Sequence, residues 1–395
     1  MQQQRIIIVG AGIVGLATAY ALLNRGVKGV TVLEQEAVDH PRATSHGTSR
    51  LLRFEYGAQT FYSEMVLLSL SRWQALQQIT RRTLYMRTGL LSLGRCDDGI
   101  TQPGYHAIRG LGLPVEWLSE QHCTECFPQF NTRPFDFITY NIEAGILHAS
   151  AALRTLKDLV RDLGGDIRES CRVQHLDCDR QDAIHLHTDE GGTFRAGRVI
   201  LATGPWIQKL LPDLLLPIRI SRQYLLYFSG LPISLFGVNN FPAFIANETY
   251  GFPMHSTYNR YGSRWLKAAS HLFGPTIDPN EPAPQLATEP DILRTLQELK
   301  ELIPALQYAE LAHIDRCMYD LTPDSDFILD SLPGDQRVIL ASGLSGHGFK
   351  FGPLLGELLS ALALEEEPVF PLERFRLARF QNRRLQLRES TVGRG

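Results

Sequence analysis

Residues 5–9 are a short β-branched apolar run, and a glycine-punctuated turn leads from them into a second apolar stretch, Ile13–Asn24. A buried parallel strand reads as an unbroken run of this kind rather than as an alternation. The pattern therefore predicts a strand over 5–9, a turn through Gly10 to Gly15, and a helix over Ile13–Asn24 stopped by Gly26 as its cap. A second strand, Val30–Leu33, closes a βαβ unit and ends at Glu34. Residues 173–175 and 183–187 read as two strands, the second entering an Asp189-Glu190-Gly191-Gly192 turn. Residues 198–202 and 338–341 read as two more buried strands, and a Gly-rich loop after the last leads to a helix over about 351–364. Between these nucleotide-fold segments, residues 86–147 and 220–324 differ in character, being rich in aromatics and prolines.

The simplest architecture is an α/β chain with a discontinuous Rossmann-like dinucleotide-binding domain (residues 1–85, 148–219 and 325–395). A second α+β substrate domain is built from the two inserts, 86–147 and 220–324. A length of 395 residues suits two domains. Apolar content of 44% with 21% charged residues supplies a large core. The apolar stretch from residue 6 to 23 could pass for a membrane span or a leader. Its regularly spaced glycines, its β-branched first half and the lack of a small-residue cleavage site argue for a buried strand and helix instead. Net charge is −3, from 39 basic and 42 acidic residues, and no basic patch stands out, so nucleic acid is a poor partner. The late arginines 374, 376, 379, 383, 384 and 388 read as a solvated helix face. Six sparse cysteines do not form a disulfide framework and suit a reducing, cytoplasmic compartment. Cys123 and Cys126 make a lone CxxC with no second ligand pair, so no metal is expected.

Gly10-Ala11-Gly12-Ile13-Val14-Gly15 carries the first chemistry. Gly10 permits the tight turn, Gly12 lets a pyrophosphate approach the backbone, and Gly15 lets the helix pack close to the sheet. The pyrophosphate then sits on the free N–H groups of the helix start. Glu34, roughly 20 positions on, can accept ribose hydroxyls, which fits FAD or NAD and argues against NADP. Leu201-Ala202-Thr203-Gly204, after a buried strand, is similar to the second nucleotide-side loop of flavoproteins with two dinucleotide-binding segments.

Further motifs follow in order: His46-Gly47-Thr48-Ser49-Arg50-Leu51-Leu52-Arg53, Tyr250-Gly251-Phe252-Pro253, Lys267 with His271, Cys317-Met318-Tyr319, and Gly346-His347-Gly348-Phe349-Lys350. Together with the fingerprint they resemble the monomeric sarcosine oxidase and N-methyltryptophan oxidase family, within the D-amino-acid-oxidase-like flavoproteins, over essentially the whole chain. The resemblance implies FAD, joined through its 8α-methyl to Cys317, with Ser49, Arg50, Val173, Gly204, Gly346 and Gly348 among the cofactor contacts. It implies that Arg53 and Lys350 clamp a substrate carboxylate and that Tyr250 and Tyr319 line the substrate cavity. Lys267, with His271 nearby, would lie next to flavin N5 as a fixed positive charge that helps dioxygen accept electrons. His347 and Lys350 would be cationic donors at the start of the last helix. The implied reaction is oxidation of a secondary amino acid to an imine with dioxygen reduced to peroxide, by a monomer acting apart from membranes. A dehydrogenase feeding a quinone or an electron-transfer protein stays open, as does a non-catalytic dinucleotide sensor. The connection from Met254 to Leu266 departs from the sarcosine enzymes in being longer, and its aromatic and basic residues leave room for a larger or more acidic substrate.

Overall fold

The computed structural model describes residues 5–178, 183–255, 265–281 and 289–380. Its organising element is a six-stranded sheet in the order Ile328–Leu332, Asp335–Ser342, Arg198–Leu201, Ile6–Val9, Val30–Leu33, Asp166–Arg168. Every pairing is parallel except the outermost one, between Ile328–Leu332 and Asp335–Ser342. Alternation explains why its central strands are apolar throughout. Ile6 and Ile8 enter one hydrophobic cluster with the helices, whereas Ile7 and Val9 enter another on the opposite face. Val199 and Leu201 against Ile200, and Val338 and Leu340 against Ile339, divide in the same way. Helices Ile13–Asn24, Ala149–Asp162 and Gly352–Leu364 cover the first face. A three-stranded meander, Val173–Cys178, Ile184–Thr188 and Thr193–Ala196, covers the second.

The second large sheet has eight strands, in the order Glu310–Leu321, Arg219–Ser229, Leu266–Ser270, Thr249–Phe252, Ala243–Ala246, Leu90–Gly94, Phe137–Asn141, Val115–Trp117. One face packs on the helix Pro290–Leu302 through Leu226, Phe228, Leu266, Ala268, Ile292 and Leu299. Its alternate positions, among them Tyr227, Tyr250, Phe252 and Cys317, join the cluster shared with the first sheet's helices. The period of two thus turns Lys267, between Leu266 and Ala268, away from the helix-backed core and toward the first sheet.

Two sequence expectations change. Gly352–Leu364 is preceded by a separate 3-10 turn, Phe349–Phe351, so the helix starts one residue later and Lys350 lies ahead of it. Arg374 and Arg379 lie in two 3-10 turns, and Arg376 lies in extended backbone between them, rather than on a solvated helix face. They pair with Asp326 at 2.8 Å, Asp330 at 2.8 Å and Asp324 at 2.9 Å, because three acids of the preceding loop and strand meet the returning chain. Arg383, Arg384 and Arg388 lie outside the described residues, as do positions 256–264 of the long connection. Among the described residues no helix is long and apolar enough to cross a membrane.

Candidate active site

A cavity of about 360 Å³ opens at the C-terminal ends of the parallel strands and is lined by Gly10, Gly12, Glu34, Val173, Thr203 and Gly204, among others. The glycines are required by contact. Gly10 has φ +102°, and a Cβ there would lie 2.4 Å from the Ala202 carbonyl oxygen; one at Gly15 would lie 1.9 Å from that of Gly10. Glu34 accepts the N–H groups of Ala11 at 2.6 Å and Glu36 at 3.0 Å, which fixes its carboxylate at the cavity wall with lone pairs left for a diol. Burial pushes its pKa up, against the two backbone donors. The buried Thr203 hydroxyl has no partner. These features fit the adenosine and pyrophosphate of a dinucleotide. The loop from residue 40 to 45, which the sequence reading left out, also lines this cavity, and its Ser45 Oγ accepts the Ile13 N–H at 3.0 Å.

Ile13, Thr44, Ser45, Gly204 and Leu344 also border a second cavity, about 110 Å³, which therefore continues the first. It brings together Ser49, Arg50, Arg53, Tyr250, Lys267, His271, Cys317, Tyr319, Gly346, His347, Gly348 and Lys350. Spacing explains the pairs: Cys317 and Tyr319 share one face of a strand, as do Tyr250 and Phe252. Lys267 is 3% exposed and donates to the Ser49 carbonyl at 2.8 Å, with its ammonium 5.0 Å from the Phe252 ring centre. Burial pushes its pKa well down, and Arg50 adds to this. Arg50 itself donates to the carbonyls of Ser49, Thr44 and His46, so it ties down the loop beside the cavity. The Cys317 thiol points toward the Thr44 carbonyl at 3.9 Å. Gly346 has φ +79°, and a Cβ there would lie 2.6 Å from the Tyr319 ring.

Arg53 and Lys350 are 8% and 4% exposed. The Arg53 guanidinium lies 4.6 Å from the Tyr56 ring centre and makes no hydrogen bond or ion pair among the described residues. Lys350 donates to the Tyr56 hydroxyl at 2.6 Å. Burial pushes the Lys350 pKa well down and Arg53 adds to it, with Glu55 opposing. Burial, then Lys350, push the pKa of His347 well down, against the cationic donor that the resemblance implies. Its Nε2 lies 3.0 Å from the Ser325 carbonyl and must donate there, which leaves Nδ1 to accept the Tyr56 hydroxyl at 3.2 Å. His271 stacks on Tyr250 with ring centres 4.2 Å apart. Burial, Arg53 and Lys350 bring its pKa down to about 3, and its Nε2 is buried without a partner among the described residues.

A third cavity, about 100 Å³, shares Arg53, His271, Tyr319, Gly346 and His347 with the second and extends away from the nucleotide. Glu55 and Tyr56 are the main site residues that the sequence reading missed. The available signal was their position directly after Arg53, with Glu55 an acid in an apolar setting.

A parallel sheet that feeds a nucleotide cavity into a buried cationic cavity defines a dinucleotide-dependent oxidoreductase. The chain belongs to the FAD dependent oxidoreductase family, whose profile matches residues 5–362. It is 31% identical to an N-methyl-L-tryptophan oxidase of Salmonella arizonae over 95% of this chain and 98% of that protein. An N-methyl-L-tryptophan oxidase of Citrobacter koseri is 30% identical, with the same coverage of both chains. Among solved structures, NikD, an unusual amino acid oxidase essential for nikkomycin biosynthesis, superposes with a TM-score of 0.79 at 23% identity over 95% of this chain and 98% of its own. L-proline dehydrogenase from P. horikoshii superposes with a TM-score of 0.80 at 19% identity over 96% and 98%. Both share the fold, and they differ by name in whether they are oxidase or dehydrogenase.

Proposed function

We propose that the protein oxidises an N-methyl or cyclic amino acid to its imine, with dioxygen reduced to hydrogen peroxide. The six-stranded sheet, in residues 1–85, 148–219 and 325–395, serves the cofactor; residues 86–147 and 220–324 serve the substrate. FAD, when bound, would supply the two-electron chemistry that links oxidation at the carbon next to the amine nitrogen to reduction of dioxygen. The chain's own residues bind, orient and enclose. Glu34 and the Gly10–Gly12–Gly15 turn hold the nucleotide end. Cys317, on the wall of the second cavity, would hold the flavin by a thioether to its 8α-methyl, the two electrons released on forming the bond passing through the flavin to dioxygen. Neutral His271 offers its unpartnered Nε2 as an acceptor toward the substrate amine, and Lys267 faces the oxygen side.

The observation that carries this reading is the pair of buried cations, Arg53 and Lys350, on one cavity wall. Two cations out of water are costly unless an anion joins them, and an amino acid brings a carboxylate of the right charge. Charge-assisted hydrogen bonds of this kind contribute on the order of 1.5–3 kcal/mol each. Arg53→Met is therefore expected to weaken an N-methyl amino acid by at least about tenfold, or ~1.4 kcal/mol. It should leave N-methylamines without a carboxylate nearly unchanged. Flavin bleaching under anaerobic mixing measures both, and a peroxide assay separates an oxidase from a dehydrogenase. Equal losses for the two ligand types would remove the clamp.

A further inference from the structure

The third cavity has no part in the steps above. It shares Arg53 with the carboxylate-binding wall, where the buried Glu55 lies close by, and its lining also holds Asp98 and Glu248. Leu93, Ile100, Ile245 and Phe273 supply an apolar sleeve between them. Strand register builds the polar floor: Ser92 pairs with Thr139 on one side and with Ile245 on the other, and all three border the space. Ser92 is 5% exposed, and its hydroxyl has no hydrogen-bond partner among the described residues. A buried hydroxyl in that state calls for a ligand group that can bond it.

The three acids are not equivalent. Asp98 is engaged by the backbone N–H groups of Ile100 and Thr101 and by the Thr101 hydroxyl, so it caps the helix Thr101–Gly110. Glu55 accepts from Asn141 at 3.0 Å and from the Phe54 N–H at 2.9 Å, and it faces the charge of Arg53. Glu248 is half-buried at the hairpin between Ala243–Ala246 and Thr249–Phe252 and makes no hydrogen bond or ion pair through its carboxylate among the described residues. Its pKa is pushed up, by burial first and then by Glu298. Once a substrate carboxylate neutralises Arg53, the rest of the lining holds the carboxylates of Asp98 and Glu248, the hydroxyls of Ser92, Thr101 and Thr139 and the Asn247 amide, with the charge of Arg294 acting on Glu248 from outside it.

We infer that this cavity is the substrate side-chain pocket and that it selects an aliphatic stem ending in a cation, with Glu248 as counter-ion and Ser92 as acceptor. This rests on the carboxylate clamp proposed above, and it runs against the more acidic substrate that the long 254–266 connection suggested. A methylene stem suits the apolar sleeve, and an ammonium supplies the donors that Ser92 and Glu248 lack.

The first test is binding to the holoprotein, read as a perturbation of the flavin spectrum, with two inert probes. 6-Aminohexanoate carries the carboxylate, the stem and the terminal ammonium, and hexanoate lacks only the ammonium. 6-Aminohexanoate should bind at least about tenfold tighter, and Glu248→Gln should abolish most of that difference, because it removes the opposite charge at the stem's end. Ser92→Ala should reduce it in part. Equal binding of the two probes, or a preference that survives Glu248→Gln, overturns the inference. In turnover, Nα-methyl-lysine should exceed N-methyl-norleucine and N-methyl-glutamate in kcat/KM by a similar factor. If 6-aminohexanoate is preferred and none of the three is oxidised, the pocket assignment stands and the oxidation reading fails. If N-methyl-norleucine or N-methyl-glutamate is the better substrate, the oxidation reading stands and the pocket assignment fails.

Discussion

Two side chains carry the proposed cofactor chemistry. Cys317 sits on a strand whose inward face it shares with Tyr319, at the wall of the second cavity, so its sulfur is directed rather than incidental. Cys317→Ser is expected to fold and to bind FAD but to lose the cofactor on acid precipitation, whereas the parent retains its yellow colour. Intact mass of the parent without an added flavin would end that reading. Lys267 raises a finer question. The expected fixed positive charge sits where burial, then Arg50, push its pKa well down. A cation at this position stabilises negative charge developing on dioxygen. Reoxidation should therefore slow as pH rises through a midpoint below that of an ordinary lysine. Lys267→Met should slow it by more than about tenfold, roughly 1.4 kcal/mol of barrier, and should remove the pH dependence. Stopped-flow reoxidation traces across pH check both; a variant that is unchanged assigns Lys267 to structure.

At the level of elements, the cofactor cradle depends on how closely the first and last helices approach. A Cβ at Gly352 would lie 2.4 Å from Ile13 Cγ1, and one at Gly356 would lie 2.5 Å from the Ala17 carbonyl carbon. The second clash is with backbone, so no rotamer change relieves it; the helices must separate. Ile13 carries the N–H held by Ser45 and borders both cofactor cavities, so that separation reaches the cradle. Gly356→Ala should lower stability by about 1–3 kcal/mol, as overpacking does, and weaken FAD retention, although residue 356 touches no cavity. Thermal unfolding with and without added FAD measures both effects. An alanine variant with unchanged melting and full flavin content would show that the helices can part freely.

At the scale of the whole molecule, the parallel half was legible because its signals are local. The run at 6–9, the glycine spacing and Glu34 each act within one βαβ unit. The site was legible in its list of residues more than in their states. Lys267 and His347 read as cations in sequence, and only enclosure between the two sheets reveals what burial does to them and to His271. Glu55, Tyr56 and Ser92 escaped because their partners are distant in the chain. The same enclosure links the site to stability. His271 has its pKa lowered to about 3 in the fold, against about 6.5 unfolded. Between those values the unfolded chain binds the proton and the fold does not, so His271 costs stability as pH falls below about 6.5. Asp320, pushed up to about 6 by burial, acts in the opposite sense, since the folded carboxyl takes up its proton first as pH falls. The parent's own pH curve therefore mixes both. Comparing the parent with His271→Gln isolates one group, because Asp320 is common to the two. Between pH 7 and pH 5 the stability difference should shift toward the variant by up to about 2 kcal/mol, from ~1.4 kcal/mol per pH unit below 6.5. Urea unfolding midpoints at several pH values measure it. Parallel curves would mean that His271 is free to protonate within the fold, and its role as a neutral acceptor for the substrate amine would fall with that result.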